Sequence, residues 1–371
     1  MSEGPAGPTR GSADPMVRAL ELARGGLGRT SPNPMVGAVL TRDGMVVGEG
    51  FHQRAGAAHA EVVALEQAGD AARGAILWVT LEPCCHQGRT GPCTERLLAA
   101  GVTEVHVATL DPNPLVHGQG LARLRGAGVS VSLGEHAEEA QLLIRDFTIW
   151  VSTGRPAVTL KFAMSLDGKV ATAGGDSQWI TSAPARARAH RLRAEHDAVM
   201  VGSGTVLADD PRLTARQVPA GSRQPLRVIV DSRLRTPPTS RLLATAGGPV
   251  LIATVTEAEP ARAKALEEAG AEVVTFAAVA GRVPLPALLQ RLGDRQITSL
   301  LVEGGPTLLG SLWSERLGDR VAAFVAPLLV GGAGAPSPFG GLGAVSLEHG
   351  WRAVGLQAEP VGSDLLLTAE V

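Results

Sequence analysis

Residues that bind a soft divalent metal gather in one stretch of the chain. His59 is followed two positions later by Glu61, Cys84 stands behind Pro83, and Cys93 stands behind Pro92. One imidazole and two thiolates make a three-ligand set for zinc, which takes four ligands and so leaves its last position to a water. Glu61 is near enough to share the site without binding the metal. A metal-polarised water beside a carboxylate that can take up and return a proton is machinery for hydrolysis. A closed structural site, with Cys85 or His86 as fourth ligand, is the competing expectation, but Glu61 has no purpose there. Adjacent cysteines rarely share one metal, so Cys85 is read as a non-ligand. His106, His117, His136 and His190 are read as surface or packing residues.

These ligands need helix starts to hold them. The pattern predicts a helix opening at His59 and running to about Gly69, a buried strand over Ala75–Thr80, and a helix over Cys93–Ala100. Backbone N–H groups in a helix's first turn favour an anion, which is expected to hold Cys93 as thiolate. Upstream, a helix over Pro15–Gly26 precedes the extended Ser31-Pro32-Asn33-Pro34 loop. Strands over Met35–Leu40 and Met45–Gly50 are joined around Asp43-Gly44, a hairpin signal. Downstream, strand Glu104–Thr109, helix Gln119–Gly126, strand Val129–Ser132 and helix Ala137–Trp150 continue an alternation that implies a mainly parallel sheet with helices on its faces.

Ser152-Thr153-Gly154-Arg155-Pro156 has the composition of a linker, and the domain boundary is placed there. The alternation then restarts with strand Ala157–Phe162, helix Pro184–Glu195 and strand Ala198–Val201. It continues through strands at 226–230, 250–254, 272–276 and 299–302, with helices at 260–269, 285–292 and 306–312 between them. Strands near 321–325 and 365–369 close it, and the Gly/Pro-rich segment 331–343 is read as a loop. Gly202-Ser203-Gly204 is a poor dinucleotide fingerprint, because Leu207 stands where a third glycine belongs. Gly202 to Thr205 and Gly304 to Thr307 are better read as two strand-to-helix turns whose N–H groups can cradle phosphates. Ser232 and Arg233 end another strand, where a cofactor 2′-phosphate could be met.

Composition narrows the classes. A chain of 371 residues exceeds what one core normally serves. A formal net charge of −2, with 5 Trp, 6 Phe and no Tyr, argues against a nucleic-acid binder, which needs basic patches and stacking platforms. Three clustered cysteines fit a metal site in a reducing compartment rather than a disulfide framework. Residues 1–14 read as a disordered leader without an apolar core. Val321–Ala335 is too short and too broken to span a bilayer. A cytoplasmic enzyme without a membrane partner is expected.

H-x-E followed by P-C and a second cysteine is the layout of zinc deaminases. Here the two cysteines are separated by eight residues. Pro32-Asn33-Pro34, the His59-Ala60-Glu61 triplet, the run T-L-E-P-C-C-H-Q-G-R-T-G-P-C from Thr80 to Cys93 and D-P-N-P at Asp111–Pro114 together resemble the bifunctional deaminase/reductases of riboflavin biosynthesis. In the second half the resemblance is carried by Leu160–Lys169, Ser177–Thr181, Gly202–Pro211 and Val302–Leu308. It extends from about Pro15 to the C-terminus. The sequence departs from the family pattern at Cys85, Gln87 and Gly91, none of them a ligand position.

The resemblance implies a cytidine-deaminase-like α/β/α domain over 15–151 and a dihydrofolate-reductase-like α/β domain over 156–371. It implies one zinc per chain on His59, Cys84 and Cys93, Glu61 as proton carrier, and a phosphorylated pyrimidine substrate held by Asn33, His52, His86 and Arg89. It further implies NADPH at Met164, Trp179, Thr205, Asp209, Ser232 and Gly305, Pro306, Thr307, Leu308, Leu309, Gly310 and Ser311. The reductase substrate would meet Lys161, Ser177, Arg193, Leu213, Arg216 and Glu303, with Arg193 and Arg216 as phosphate clamps. Enzymes of this kind are expected to form homo-oligomers.

Overall fold

A computed structural model describes residues 14–86, 91–219 and 222–371. The chain divides into two compact units, one ending at Gly154 and one beginning at Arg155. The first contains α1 (Pro15–Ala23), β1 (Gly37–Arg42), β2 (Met45–Phe51), α2 (Ala60–Ala68), β3 (Ile76–Leu81) and α3 (Cys93–Ala100). It continues with β4 (Glu104–Thr109), α4 (Gln119–Gly126), β5 (Ser130–Leu133), α5 (Ala137–Leu143) and α6 (Arg145–Thr153). Its sheet has the order β2-β1-β3-β4-β5.

That sheet is mixed, which corrects the expectation of a mainly parallel one. The Asp43-Gly44 hairpin makes β1 and β2 antiparallel, and β1 also runs antiparallel to β3. Only β3, β4 and β5 are parallel. Alternation along β1 feeds two cores, as a period of two requires. Ala38 and Leu40 join the cluster formed with Ala60, Ala64, Leu97 and Leu121, while Val39 joins Met16, Ala19, Leu20, Ala108 and Ala140 on the other face.

Bare backbone brings α2 onto the sheet. A Cβ on Gly48 would lie 2.2 Å from the Ala64 carbonyl oxygen, and one on Gly50 would lie 2.4 Å from the Ala60 carbonyl oxygen. These contacts fix the height of α2, and therefore of His59 and Glu61, above β2.

Three further readings change in the first unit. Residues 1–13 of the expected leader lie outside the described residues, but Asp14 is the N-cap of α1, its carboxylate accepting from the Met16 and Val17 N–H groups. The helix expected over 137–150 is two helices, broken at Ile144, whose φ of −100° and ψ of 9° leave the helical region. Ser152 and Thr153 extend α6 instead of forming a linker, and Gly154 ends it at a φ of 76°.

The second unit contains β6 (Ala157–Ser165), α7 (Ala183–Glu195), β7 (Ala198–Gly202), α8 (Ser203–Asp209), β8 (Leu226–Val230), α9 (Arg241–Ala244) and β9 (Val250–Val255). Then come α10 (Pro260–Glu268), β10 (Glu272–Phe276), α11 (Leu285–Asp294), β11 (Ser299–Val302), α12 (Pro306–Ser314), β12 (Arg320–Ala326), β13 (Val354–Val361) and β14 (Asp364–Glu370). Its sheet runs β10-β9-β8-β7-β11-β6-β12-β14-β13, parallel as far as β12 and antiparallel over the last two pairings. The central strands are fully buried: Val158, Leu160, Met200, Val228, Leu300 and Val302 all have 0% exposure. Helices therefore cover both faces, as a parallel sheet demands. Strand β13 was not expected from the sequence, because Gly355, Glu359 and Pro360 depress strand propensity.

Candidate functional sites

In the first unit the three ligand residues converge from separate elements. His59 is the N-cap of α2, Cys84 follows β3, and Cys93 opens α3. His59 Nδ1 lies 3.2 Å from Cys93 Sγ and 3.6 Å from Cys84 Sγ. The three ligand atoms lie within 4.8 Å of one another. Among the described residues Cys85 and His86 do not join this group. One nitrogen and two sulfurs at mutual contact distance are a donor set suited to zinc, with a position left for a water.

The helix-start effect acts on a different sulfur from the one expected. The Cys93 backbone N–H donates to Cys84 Sγ at 3.4 Å. The Cys93 thiol, then His59, and after them this N–H lower Cys84, which is held at about 4, as a thiolate. Cys93, facing that thiolate from a buried position, is pushed up instead. Sequence reasoning could not see this, because it depends on which sulfur lies over the N–H.

Glu61 lies in the first turn of α2 at 3% exposure. Burial pushes its carboxyl up, while His59 pulls it back toward ionisation. A carboxyl so raised can hold a proton between two steps. Beside it, His52 Nδ1 donates to the Ala58 carbonyl oxygen at 3.0 Å, so its Nε2 accepts from Asn33 Nδ2 at 3.0 Å. The His52 and His59 rings meet edge to face with centroids 5.5 Å apart. Asn33 and His52 are thus brought to the metal group, with Asn33 keeping a second N–H and its Oδ1 for a ligand. His86 is exposed; its charge acts on Asp111. Arg89 lies outside the described residues.

Glu82 was missed by sequence reasoning. Its carboxylate, 3% exposed, accepts from the N–H groups of Gly118 at 2.8 Å, Gly120 at 2.9 Å, Asp111 at 3.3 Å and Leu121 at 3.4 Å. It ties the Cys84 loop to the start of α4. A glutamate directly before Pro83-Cys84 was the available signal.

The second unit holds a cleft of about 1750 Å³ along the C-terminal ends of the parallel strands, where open α/β sheets bind ligands. Thr205, Asp209, Trp179, Ser232, Ser311 and Gly305 to Leu309 line it, as do Lys161, Ser177, Arg193, Leu213, Arg216 and Glu303. Met164 and Gly310 do not line it. A Cβ on Gly310 would lie 2.0 Å from the Gly340 carbonyl oxygen, so that glycine serves packing. The two glycine turns sit together: a Cβ on Gly305 would lie 3.2 Å from Thr205 Oγ1. Trp179 is 68% exposed and stacks on the Arg186 guanidinium at 4.6 Å.

A buried charge chain runs through the cleft. Arg193 is bidentate to Glu303, with Nε–Oε1 at 2.6 Å and Nη2–Oε2 at 2.8 Å, and Lys161 Nζ lies 3.8 Å from Oε2. Burial alone would raise the Glu303 carboxyl, but Arg193 and Lys161 override it and hold it at about 2. Burial pushes Lys161 down. Arg193 also donates to the Thr214 carbonyl oxygen at 3.1 Å. Three of its five N–H groups are thus engaged within the protein, and the residue still lines the cleft. His190, read as a surface or packing residue, sits on the surface of this cleft. Its Nδ1 donates to Thr214 O at 3.1 Å, and its Nε2 accepts from Arg216 Nη2 at 3.2 Å. Burial, then Arg193 and Arg216, lower it to about 4, so it is neutral near pH 7.

Residues 12–109 match the family model for the cytidine and deoxycytidylate deaminase zinc-binding region, and residues 156–367 match that for the RibD C-terminal domain. The riboflavin biosynthesis protein RibD of Aquifex aeolicus is 44% identical, with 95% of this chain and 96% of that protein aligned. The Escherichia coli RibD is 44% identical over 85% of this chain and 88% of its own. An Acinetobacter baumannii RibD structure superposes with a TM-score of 0.86 at 40% identity, covering 96% of this chain and 97% of that one. A Thermotoga maritima structure described as a diaminohydroxyphosphoribosylaminopyrimidine deaminase/5-amino-6-(5-phosphoribosylamino)uracil reductase gives 0.83 at 36% identity, covering 96% and 97%.

Proposed function

Because the chain belongs to the RibD family of bifunctional, zinc- and NADPH-dependent deaminase/reductases of riboflavin biosynthesis, we propose that residues 15–151 carry the deamination and residues 156–371 the reduction. The substrate is a diaminopyrimidinone bearing ribose 5-phosphate, whose ring amine is hydrolysed before its ribosyl group is reduced to ribityl. The Thermotoga maritima relative is a deaminase and reductase of such phosphoribosylaminopyrimidines.

The observation that carries the deaminase assignment is the placement of Glu61, a buried carboxyl whose pKa is raised by that burial, in the same first turn as His59. His59, Cys84 and Cys93 would hold the zinc, which would supply a Lewis acid able to make a water nucleophilic near neutral pH. Glu61 takes the water's proton on its carboxylate and returns it to the leaving amine. Asn33 pairs with the pyrimidine edge through its amide, held in orientation by His52 Nε2. His86 and Arg89 complete substrate binding from the loop between the cysteines.

In the second unit NADPH, when bound, supplies the hydride. Thr205, Ser311 and the Gly305–Leu309 turn would receive its phosphates, and Asp209, Ser232 and Trp179 line the same cleft. Ser177, Lys161, Leu213, Arg216 and Glu303 face the ribosyl chain, and Arg193 keeps Glu303 ionised beside Lys161.

The protein is a small-molecule enzyme, and among its described residues no helix is long and apolar enough to cross a membrane. A cytoplasmic homo-oligomer fits best: Cys84, Cys85 and Cys93 are all free thiols. Leu342, Val345, Leu347, Val354 and Leu356, each at least 62% exposed, would be covered by a second copy. The decisive experiment assays both half-reactions on purified protein with metal analysis. Ammonia release without bound zinc would defeat the deaminase assignment, and NADPH oxidation without deaminated pyrimidine would defeat the reductase one.

A further inference from the structure

The run Leu160–Lys169 supplies Lys161 to the cleft, but the aspartate near its end has no part in the function described above. Asp167 stands exposed on the turn after β6 and does not line the cleft. Its carboxylate is nonetheless fully engaged. Oδ1 accepts from Ser165 Oγ at 2.5 Å and from the Val330 N–H at 3.1 Å, and Oδ2 accepts from the Gly331 N–H at 2.7 Å. Ser165, then the two backbone N–H groups, lower its pKa to about 2, so the acceptor is charged near neutral pH. The backbone donors lie 163 and 164 positions away along the chain. A carboxylate so placed orders a distant loop.

That loop is the stretch 328–340 between β12 and β13, and it is tied down at both ends. At the β6 end the Leu166 N–H donates to Leu328 O at 2.8 Å, the Val170 N–H donates to Pro336 O at 2.9 Å, and Lys169 Nζ donates to Ala335 O at 3.1 Å. At the far end the Gly340 N–H donates to Pro306 O at 2.9 Å, in the glycine turn that opens α12. Between these ends Pro336 and Pro338 line the cleft. Phe339 meets Phe162, itself a lining residue, edge to face with centroids 5.4 Å apart. The stretch is therefore a strap that joins the strand carrying Lys161 to the turn assigned to the cofactor phosphates. Its corner is soft. Gly331 and Gly332 hold φ values of 70° and 80°, and glycine enters that region as readily as its mirror image. Asp167 grips the N–H of Gly331 and of the residue before it.

We propose that Asp167 is a positioning residue of the reductase, which fixes the strap 328–340 as a wall of the cleft and, through Gly340 and Pro306, holds the cofactor turn ready for NADPH. The proposal rests on the reductase reading above and adds to it a residue that touches neither cofactor nor pyrimidine. A strap released from Asp167 must be ordered again by the incoming dinucleotide. That cost is met on binding and is the same in the ground and transition states, so it falls on the KM for NADPH and leaves kcat in place.

The test uses the full-length protein, with NADPH oxidation on deaminated pyrimidine as the readout. Asp167→Ala should raise the KM for NADPH about tenfold, with kcat and the KM for the pyrimidine within about twofold. Asp167→Asn keeps Oδ1 for Ser165 and Val330 but turns an amide N–H toward that of Gly331, so it should lie between, at about threefold. Hydrogen exchange over 328–340 should quicken in Asp167→Ala and slow again when NADPH saturates the protein. Ammonia release should not change in either variant. An unchanged KM for NADPH in the alanine variant would overturn the proposal, whether or not exchange quickens. So would a fall in kcat at unchanged KM, which would place Asp167 in the chemistry instead. Should Asp167→Ala fail to fold, Asp167→Asn carries the test alone, and wild-type affinity for NADPH in that variant is the refuting result. Wild-type protein that oxidises no NADPH with this substrate would instead sink the reductase reading itself.

Discussion

Replacing Gly50 with alanine is expected to disable the deaminase without touching any ligand or proton carrier. The added Cβ would stand 2.4 Å from the Ala60 carbonyl oxygen, 2.7 Å from the Ala64 nitrogen and 2.7 Å from the Val63 Cβ. Two of these three neighbours are backbone atoms and the third is a β-carbon, so no flexible side-chain end can swing aside. Comfortable contact between heavy atoms begins near 3.5 Å, so α2 must withdraw by roughly 1 Å. Overpacking of this kind costs about 1–3 kcal/mol. For a unit of this size that is a fall of roughly 3–10 °C in the unfolding temperature. The larger effect is on chemistry, because His59 and Glu61 travel with the helix, and a displacement near 1 Å costs about a hundredfold in rate. Ammonia release and zinc retention on heating would be measured on Gly50→Ala. Gly126→Ala is the matched control, since a Cβ there meets nothing within 4 Å. If Gly50→Ala matches the wild type in both measurements, the backbone contact does not set the position of α2 and the reasoning fails.

Other perturbations separate the two units and their parts. Glu61→Gln should keep its zinc and lose ammonia release by about a hundredfold or more; unchanged ammonia production would remove Glu61 from the mechanism. Cys93→Ser should lower zinc content while leaving NADPH binding intact, and loss of both would show that the units are not independent. Glu82→Gln should lower deaminase activity by loosening the Cys84 loop from α4, with a smaller effect on NADPH oxidation; equal losses would argue for general unfolding. For Glu303 the sign is that of a depressed carboxyl. Its stabilising contribution is complete above the ordinary glutamate pKa, near 4.5, and is lost as pH falls toward about 2. Acid denaturation of the second unit should therefore steepen in that window by an amount on the order of 3 kcal/mol. A Glu303→Gln protein with the same acid profile would contradict this.

Much of the architecture could be read from the chain, and the reasons are local. Helix Cys93–Ala100, strand Glu104–Thr109 and helix Gln119–Gly126 fall where periodicity and turn residues put them. Ligand identity was legible because the cysteines are few and clustered. What escaped depends on contacts across the fold. The antiparallel pairing of β1 with β3 is set by packing rather than by either strand's sequence. The break at Ile144 interrupts an otherwise helical pattern. The bidentate Arg193–Glu303 pair joins residues 110 positions apart, so nothing near Arg193 announced that partner. The four N–H groups gathered by Glu82 come from a stretch that begins 29 residues later and runs into the first turn of α4. Such partners emerge only once the sheet order is fixed.

The seating of α2 on a strand stripped of side chains at Gly48 and Gly50 has a thermal consequence. At those two positions no side-chain end lies between helix and strand to give way by degrees, so the two should separate together. Metal ligand and proton carrier ride on the same short helix. Warming should therefore silence hydrolysis and release the ion in one event with a common onset, rather than passing through a species that keeps its metal but has lost its base.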